Sequence, residues 1–472
     1  MKEIDKDTTL GYLKEILKPC KNFIKTAPPI CLLYRIYLKY LQKRESRTLL
    51  KLRSLHASHN IINFKNIIES RADSADLKNT KIGVLIYNDW GNSFDALRDL
   101  AITLSKDRRF EVVILAMPSK VISSAFYDLN ATKSLCEFAE SVRVEIAPDI
   151  AQNRPLQCLI GFELDFRIRF YPQDFKTQYF INTRPYSCLR PKGWDNASVG
   201  AFMKLCHIDY GVHVHSRKMP VCEFAELKYY DLIFAISAFH AEIISITQED
   251  KYSEILPVGC AKFEQILHLE QKSKKRASSP LTCCYMPRWN GIDGYGTFLK
   301  YIESFLSMAK KQELEFILRP HPNMLDSFST AGMGDEIKAI FKRIESCEYA
   351  LIDTNQDLSQ SFLKADVLIT DASSMLVYSF LSKKPTIFTQ NLFGGEMNNW
   401  ALCLLQGCFV VNTQDELFAL LGEFKSDFDK TFMPKIALRE RILKQLFDFS
   451  KTPASEKIRD ILLKDFAKEI VR

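Results

Sequence analysis

The sequence predicts an α/β protein built from two parallel-sheet domains with a cleft between them. Short β-rich segments alternate with helical patterns twice along the chain, first from Lys81 and again from Leu281. A hydrophilic, lysine-rich segment, 270–280, separates the two stretches and has the composition of a linker. Because strands that alternate with helices form parallel sheets, we expect one sheet in each half.

The first half starts with a strand–turn–helix–strand unit. The run KIGVLIY (81–87) is rich in β-formers, the helical spacing of FDALRDLAITL follows a polar turn, and FEVVILA (110–116) is the next strand. Further strands are predicted at 178–182, 231–237 and 254–258, and the helix-like FHAEIISI lies between the last two.

The second half repeats this alternation. The predicted strands are 281–286, 315–319, 349–353, 366–370 and 385–389. The predicted helices are 295–310, 334–344, a helix from Ser373, 414–424, 435–447 and a helix from Ser455. Proteins with two such halves commonly bind a nucleotide in the cleft between them.

The composition is that of a globular protein in a reducing compartment. Apolar residues make up 47% and charged residues 26% of the chain, and no stretch has the roughly 20 uninterrupted apolar residues of a membrane-spanning helix. The 13 cysteines are scattered without a C-x-x-C pair, and the first residues are polar. We therefore expect a cytoplasmic protein with neither a disulfide framework nor a zinc site.

The net charge of +7 is concentrated near the N-terminus. Residues 17–56 contain ten Lys or Arg and one acid, Glu45, and the basic residues alternate with apolar ones. Such a basic amphipathic helical region fits an anionic membrane surface, which would place the protein at the inner face of the cell membrane. It fits equally a helical extension packed on the rest of the protein. Nucleic acid is not expected, because no nucleic-acid-binding motif accompanies the charge.

Three predicted strands of the second half end in polar residues. Arg288 follows the strand 281–286, Arg319 and His321 lie at the end of the strand 315–319, and Asp371-Ala372-Ser373-Ser374 follows the strand 366–370. The carboxyl ends of parallel strands meet at one edge of the sheet, where ligands bind. The start of the helix predicted from Ser373 offers free N–H groups to an anion, and hydroxyl and cationic side chains add hydrogen bonds to phosphate.

Each of these motifs has a simpler explanation when it is taken alone. An Asp or Ser before a helix is first of all an N-cap, and Pro320 and Pro322 around His321 mark a strand leaving its sheet. Asp371 could cap the helix, orient His321 or accept a hydrogen bond from a substrate hydroxyl. The occurrence of both motifs on neighbouring strand ends favours a phosphate site.

The same motifs resemble the CDP-glycerol glycerophosphotransferase family, of the teichoic-acid polymerase type. The family has an H-P motif and later a strand that ends in S/T-D-x-S-S, and this chain has R-P-H-P (319–322) and T-D-A-S-S (370–374). YMPRWN (285–290) and the segment from DLIFAISAFH to PVGCAKFEQIL are similar to further family elements. The resemblance covers about residues 178–460.

This resemblance implies a glycosyltransferase-B fold of two Rossmann-like domains. The expected division is a basic amphipathic helical extension, an acceptor domain, a nucleotide-donor domain and a C-terminal helix, at 1–78, 79–269, 281–445 and 446–472. The implied reaction transfers a polyol phosphate from a CDP-activated donor to a hydroxyl of a surface polysaccharide or lipid-linked acceptor, and releases CMP. The residues implied at the donor phosphates are Arg288, Arg319, His321, Ser373 and Ser374. Among the residues named so far, His321 and Asp371 are the catalytic candidates.

Two family motifs are altered in this chain. The W-H-G motif, whose His is the favoured general base, is replaced by Arg184-Pro185-Tyr186. The segment CHIDYGVHVHS then offers the candidate bases, and we select His207 from His207, Asp209, His213 and His215. In the altered G-x-P-R-x-D element, Lys262 is the remaining cation. No metal or cofactor is expected.

Two other functions remain open at this stage. A glycosyltransferase of the same fold that uses a CMP-sugar or UDP-sugar for capsule or lipooligosaccharide synthesis would carry similar motifs. A non-catalytic nucleotide-binding scaffold would explain the altered W-H-G motif. The identity of the nucleotide that binds, and turnover, distinguish these alternatives from the CDP-polyol transferase.

Overall fold

The computed structural model describes the chain from residue 81 to residue 471, with gaps. The described residues are 81–89, 91–120, 127, 132–133, 136–137, 156–163, 165–212, 214, 226–227, 229–247, 253–267, 269, 280–289, 295–321, 323–355, 357–392, 394–447 and 450–471. The predicted N-terminal extension and its basic part 17–56 lie outside these residues, as do the linker 270–279, His213 and His215. The four domain boundaries stay predictions.

The first sheet has seven parallel strands in the order β3-β2-β1-β4-β5-β6-β7. Its strands are β1 (Ile82–Asn88), β2 (Phe110–Ala116), β3 (Leu156–Ile160), β4 (Tyr179–Asn182), β5 (Lys204–Ile208), β6 (Leu232–Ala235) and β7 (Glu254–Pro257). From β1 the strand order runs toward one edge of the sheet through β2 and β3, and from β4 it runs toward the opposite edge. Such a reversal of the strand order between β1 and β4 opens a crevice at the carboxyl ends of these strands.

The second sheet has six parallel strands in the order β10-β9-β8-β11-β12-β13. Its strands are β8 (Leu281–Met286), β9 (Leu314–Leu318), β10 (Ala350–Ile352), β11 (Val367–Thr370), β12 (Thr386–Thr389) and β13 (Phe409–Val411). Here the reversal lies between β8 and β11. The motif YMPRWN lies at the end of β8 and the motif T-D-A-S-S at the end of β11, on the two sides of the reversal.

Helices cover both sheets. In chain order they are α1 (Arg98–Lys106), α2 (Asn196–Gly200), α3 (Ala238–Thr247), α4 (Ala261–Leu267), α5 (Phe298–Lys310), α6 (Met324–Thr330), α7 (Gly334–Glu345), α8 (Ser359–Lys364), α9 (Met375–Leu381), α10 (Asn399–Gln406), α11 (Gln414–Ser426), α12 (Phe428–Leu446) and α13 (Ala454–Val471). Short 3-10 helices lie at Gly91–Ala96, Pro172–Asp174 and Ser187–Leu189. The predicted α/β fold class, with two such domains, is confirmed.

The strands read as continuous apolar runs because helices cover both of their faces. All seven residues of β1 are buried. Val84 and Ile86 pack into one hydrophobic cluster, while Leu85 and Tyr87 pack into another. Alternate residues of one strand thus enter two cores on opposite faces of the sheet, as in other parallel sheets.

Several elements differ from the sequence prediction. The strands β3 and β13 were not predicted, and the segment that holds β5 was interpreted as a turn with a short strand. Helix α12 begins at Phe428, seven residues before its predicted start, and contains Pro434. Gly259 has φ of +99°, a backbone conformation that favours glycine, where the chain turns from β7 into α4.

The chain returns to the first domain at its C-terminal end. Ile458 and Leu462 of α13 are buried in a cluster with residues of the first sheet. Asp465 accepts hydrogen bonds from Lys204 Nζ at 2.8 Å and from the Tyr179 hydroxyl at 2.7 Å. The last helix therefore joins the two domains. Within the described residues, no helix is both long and apolar enough to cross a membrane.

Candidate functional site

The candidate donor site lies at the reversal point of the second sheet. Strands β8 and β11 are neighbours there, with Met286 beside Thr370 at their carboxyl ends. The Thr370 hydroxyl donates to the Met286 carbonyl at 2.9 Å. The residues that follow these two strands, from Pro287 and from Asp371, are therefore adjacent.

Asp371 is fully buried and its carboxylate contacts the main chain of the β8–α5 connection. Oδ1 accepts the Arg288 N–H at 2.7 Å. Oδ2 accepts the Thr297 N–H at 2.9 Å and lies 3.2 Å from the Thr297 hydroxyl, which donates to it. Burial raises the pKa of Asp371 to about 7, although the Thr297 and Arg288 hydrogen bonds act against this rise.

The two serines of T-D-A-S-S lie at the start of α9, but neither acts as its side-chain cap. Helix α9 begins at Met375, two residues after the predicted start, and Ser374 makes no side-chain capping bond. Ser374 is exposed and Ser373 is half-buried. The Ser373 hydroxyl lies 3.1 Å from the Thr370 hydroxyl. Ser374 is thus accessible to a ligand.

Arg288 extends over the same strand end. Its Nη1 donates to the Ala372 carbonyl at 3.2 Å, and its guanidinium lies 5.5 Å from the centre of the Tyr295 ring. The side chain is half-buried. A cation is therefore present immediately beside Ser373 and Ser374.

His321 is half-buried near this cation. Its Nδ1 accepts the Asn323 N–H at 3.1 Å, so the neutral ring carries its proton on Nε2. Burial, and next the charge of Arg288, lowers the pKa of His321 to about 4. At neutral pH the side chain is thus a neutral hydrogen-bond donor. The Trp289 ring lies 6.3 Å from it.

Arg319, the second arginine of the predicted phosphate site, is bound to a protein carboxylate. Its Nη1 lies 2.6 Å from Asp353 Oδ2, and Nη2 donates to the Asn355 carbonyl. Ser361 donates a further hydrogen bond to Asp353. Both side chains of the ion pair are nearly buried, with 9% of Arg319 and 5% of Asp353 exposed.

The first sheet has a similar pair at its own reversal point. After β4, Arg184 Nη1 lies 3.2 Å from Asp89 Oδ1, which follows β1, and 3.2 Å from the Ser119 hydroxyl. Tyr186 is half-buried and precedes the 3-10 helix Ser187–Leu189. The residues that replace the W-H-G motif are therefore at the strand-end edge of the first domain.

His207 lies inside β5 and not on a turn. Its neighbours in the sheet are Asn182 and Ile233, and only 1% of the residue is exposed. Its ring packs edge-on to Tyr230, and neither ring nitrogen has a hydrogen-bond partner. A general base must come within hydrogen-bond distance of the acceptor hydroxyl. The burial of His207 therefore argues against this role.

Asp209 lies between two histidines just beyond β5. Its Oδ1 is 3.5 Å from His207 Nε2, and its Oδ2 is 3.4 Å from His240 Nε2. His240 Nδ1 accepts the Ile236 N–H at 3.3 Å, which leaves the proton of the neutral ring on Nε2, facing Asp209. The sequence prediction missed His240, although it follows a predicted strand end by a few residues.

The Asp209–His240 pair lies where the two domains meet. The His240 ring packs edge-on to Trp400 of α10, with their centres 5.6 Å apart. The Asn398 N–H donates to the Val214 carbonyl at 3.1 Å, which joins the same regions of the two domains.

Lys262 makes a second contact between the domains. It lies on α4 of the first domain, and its Nζ is 5.5 Å from the ring centre of Tyr378 on α9 of the second. Burial alone would lower the pKa of Lys262, but the attraction of Tyr378 and Asp95 raises it. Lys262 is thus a cation beside Tyr378, which lies one helical turn beyond Ser374. In the described part of the chain, no three His, Cys, Asp or Glu side chains are arranged to hold a metal ion.

The chain is similar to several solved structures. The chain is similar to the wall teichoic acid polymerase TagF, with 16% identity and a TM-score of 0.50 over 90% of this chain and 98% of that chain. It is also similar to a UDP-N-acetylglucosamine 2-epimerase, with 10% identity and a TM-score of 0.48 over 78% of this chain and 95% of that chain. For the UDP-GlcNAc 2-epimerase from Methanocaldococcus jannaschii, the identity is 10%, the TM-score 0.46, and the coverage 82% and 100%. No family model and no curated protein matches the chain.

The match to TagF extends over most of both chains, and both sheets of this protein have the expected parallel, doubly wound order. The fold is therefore glycosyltransferase-B, with two Rossmann-like domains, and the resemblance to teichoic-acid polymerases that the motifs indicated is confirmed at the level of the fold.

Proposed function

We propose that this protein is a transferase that moves a polyol phosphate from a CDP-activated donor to a hydroxyl of a cell-surface polysaccharide or lipid-linked acceptor. The observation that carries this proposal is the grouping of Arg288, His321, Ser373 and Ser374 around the reversal point of the second sheet. In this fold class, such a crevice is where nucleotides bind. The basic segment 17–56 would bring the enzyme to an anionic membrane surface that holds the acceptor.

On the donor side, each side chain has a separate role in this proposal. Arg288 supplies the charge that offsets the pyrophosphate, and His321 donates from Nε2 as a neutral imidazole. Ser374 and the N–H groups at the start of α9 complete the set of donors. Arg319 acts indirectly, because its ion pair with Asp353 sets the direction in which the chain leaves β9. The helix and cations together serve the role that a metal ion has in other phosphoryl transferases.

On the acceptor side, we assign the proton acceptor to Asp209 and not to the buried His207. The acceptor oxygen attacks the phosphorus that carries the polyol, a new O–P bond forms, and the bond from this phosphorus to the oxygen of CMP breaks. The hydroxyl proton passes to the Asp209 carboxylate, whose Oδ2 faces His240 Nε2 at 3.4 Å. The electron pair of the broken bond leaves with CMP.

Calorimetric titration of the full chain with CDP, CMP, UDP and GDP is the first test. Tightest binding of CDP, followed by release of CMP from CDP-glycerol or CDP-ribitol, would support the proposal. Tightest binding of CMP or UDP, with glycosyl transfer, would replace it with a sugar transferase. Nucleotide binding without turnover on any of these donors would identify a scaffold, which the burial of His207 would then explain.

A further inference from the structure

The connection between β8 and α5 is held at both of its described ends by a single carboxylate. Arg288 begins this connection and Thr297 ends it, and their N–H groups donate to different oxygens of Asp371 at 2.7 and 2.9 Å. The strand that ends at Asp371 and the strand that precedes Arg288 are neighbours in the sheet. Asp371 therefore links two segments across the reversal point.

We propose that Asp371 is a positioning residue, which in its ionised form binds the N–H groups of Arg288 and Thr297 and thereby places Arg288 beside the start of α9. Asp371 does not touch the donor in this account. It acts on the main chain of Arg288, whose guanidinium then reaches the Ala372 carbonyl at 3.2 Å.

The number of acceptors explains why a carboxylate is required at this position. Three donors, two from the main chain and one from the Thr297 hydroxyl, converge on its two oxygens. The Thr297 hydroxyl lies 2.7 Å from that of Thr389 and 3.0 Å from that of Tyr285, so the hydroxyl group is itself part of a buried chain. An Asn side chain at this position would have only one acceptor oxygen. Its NH2 group would take the place of the other oxygen and would face a main-chain N–H group, so two donors would meet without an acceptor.

Protonation of Asp371 would release one end of the connection. Burial raises the pKa of this carboxyl to about 7, so the change falls near neutral pH. The facing groups are the Arg288 guanidinium, Tyr285 and His321: burial and next Asp371 hold the pKa of Tyr285 well above its usual value, and the pKa of His321 is about 4. Thr297 has no titrating group.

Trp289 reports this change without any assumption about the reaction. It directly follows Arg288, and 37% of its surface is exposed. Acrylamide quenching of fluorescence would be measured from pH 5.5 to pH 8.5 for the full chain. The same measurement on Trp289→Phe is subtracted, because three other tryptophans contribute. We expect quenching of Trp289 to increase by about twofold as the pH falls, with a midpoint near 7.

Two variants test whether Asp371 is the group responsible. In Asp371→Asn, quenching should be independent of pH and equal to the acid value of the wild type. In Thr297→Val, which keeps the N–H group and removes the hydroxyl donor, the midpoint should move to higher pH. A wild-type signal that does not change with pH would overturn the proposal, as would a transition that persists in Asp371→Asn. If Asp371→Asn does not fold, the wild-type and Thr297→Val curves still decide.

The consequence for the donor rests on the proposed function and is measured separately. CDP affinity, determined by calorimetry at pH 8.5, should be about tenfold weaker in Asp371→Asn because Arg288 is displaced. If the fluorescence transition occurs as expected while wild type and Asp371→Asn bind CDP with equal affinity, the positioning role of Asp371 is supported. That result would count against the proposed donor site.

Discussion

Arg319 is paired with Asp353, with 2.6 Å between Nη1 and Oδ2, and both side chains are nearly buried. Burial alone would raise the pKa of Asp353, but hydrogen bonds from Ser361 and Asn355 and the charge of Arg319 lower it. The arginine of R-P-H-P thus stabilises the end of β9, from which the chain continues to His321.

Removal of Asp353 should therefore be costly for stability. Replacement of Asp353 by Ala removes the carboxylate that faces a nearly buried guanidinium, and we expect a loss of about 3 kcal/mol or more in the free energy of unfolding. The matched control is Glu303→Ala, which breaks the exposed Arg343–Glu303 pair at 2.6 Å and should cost about 1 kcal/mol or less. Urea unfolding at pH 7.5 measures both.

The same pair predicts a pH dependence. Because the pKa of Asp353 is lowered by folding, its contribution is present at neutral pH and is lost as the pH falls through the folded-state value. The stability difference between wild type and Asp353→Ala should shrink in acid. A difference that stays constant down to pH 3 would contradict the role given to this ion pair.

The double replacement of Ser373 and Ser374 by Ala should separate binding from folding. Ser374 makes no capping bond, so we expect a loss of stability of at most about 1 kcal/mol. Nucleotide affinity should fall by about tenfold or more, because hydroxyl donors to phosphate are removed. Calorimetry with CDP and urea unfolding provide the two measurements, with the exposed Ser426→Ala as control. Unchanged affinity would exclude the start of α9 as the phosphate site.

His321 should act through Nε2 as a neutral donor. The amide of Gln can occupy the position of Nε2–H, whereas the shorter Asn cannot, so His321→Gln should keep part of the activity that His321→Asn and His321→Ala lose. Rates measured with a CDP-activated donor between pH 6 and pH 9 should show no dependence on His321 protonation, since its pKa is about 4. An acid limb near pH 6.5 that disappears in His321→Gln would contradict this assignment.

Stability gives an independent check on the same residue. The pKa of His321 falls from its ordinary 6.5 to about 4 on folding, so the unfolded chain binds the additional proton first. The free energy of unfolding should therefore fall between pH 6.5 and pH 4 more steeply in the wild type than in His321→Gln. Parallel curves for the two proteins would indicate that the ring is solvated and titrates normally.

Asp209 and His240 should affect turnover more than donor binding. Asp209→Asn removes the proposed proton acceptor, and we expect kcat to fall by about 100-fold or more with little change in CDP affinity. His240→Gln keeps a donor toward Asp209 and should cost less. The control is His207→Gln, in which a buried ring is replaced. Full turnover in Asp209→Asn would transfer the proposed role to another residue at the interface of the domains.

The order of the main strands could be predicted, whereas the strands β3 and β13 and the short helices α2, α4, α6, α8 and α10 were not. The runs that became β1, β2, β8 and β11 are continuous and apolar because both faces of each sheet are covered, and this pattern is visible in the sequence. The strand β13, of three residues, was missed, although β10 has the same length and was predicted. Helix α12 was predicted too short, since it begins seven residues before the predicted start and continues through Pro434.

The sequence by itself determined the fold class and the strand ends at which chemistry is expected. Local patterns were sufficient for this, since burial on two faces and the polar ends of strands are properties of short segments. Only the tertiary structure decided what each polar side chain contacts. Asp371 lies 83 positions from Arg288 and Arg319 lies 34 positions from Asp353, so no local pattern could reveal these bonds. Burial, which gives Asp371 and His321 their shifted pKa values, likewise depends on segments that meet only in the folded chain.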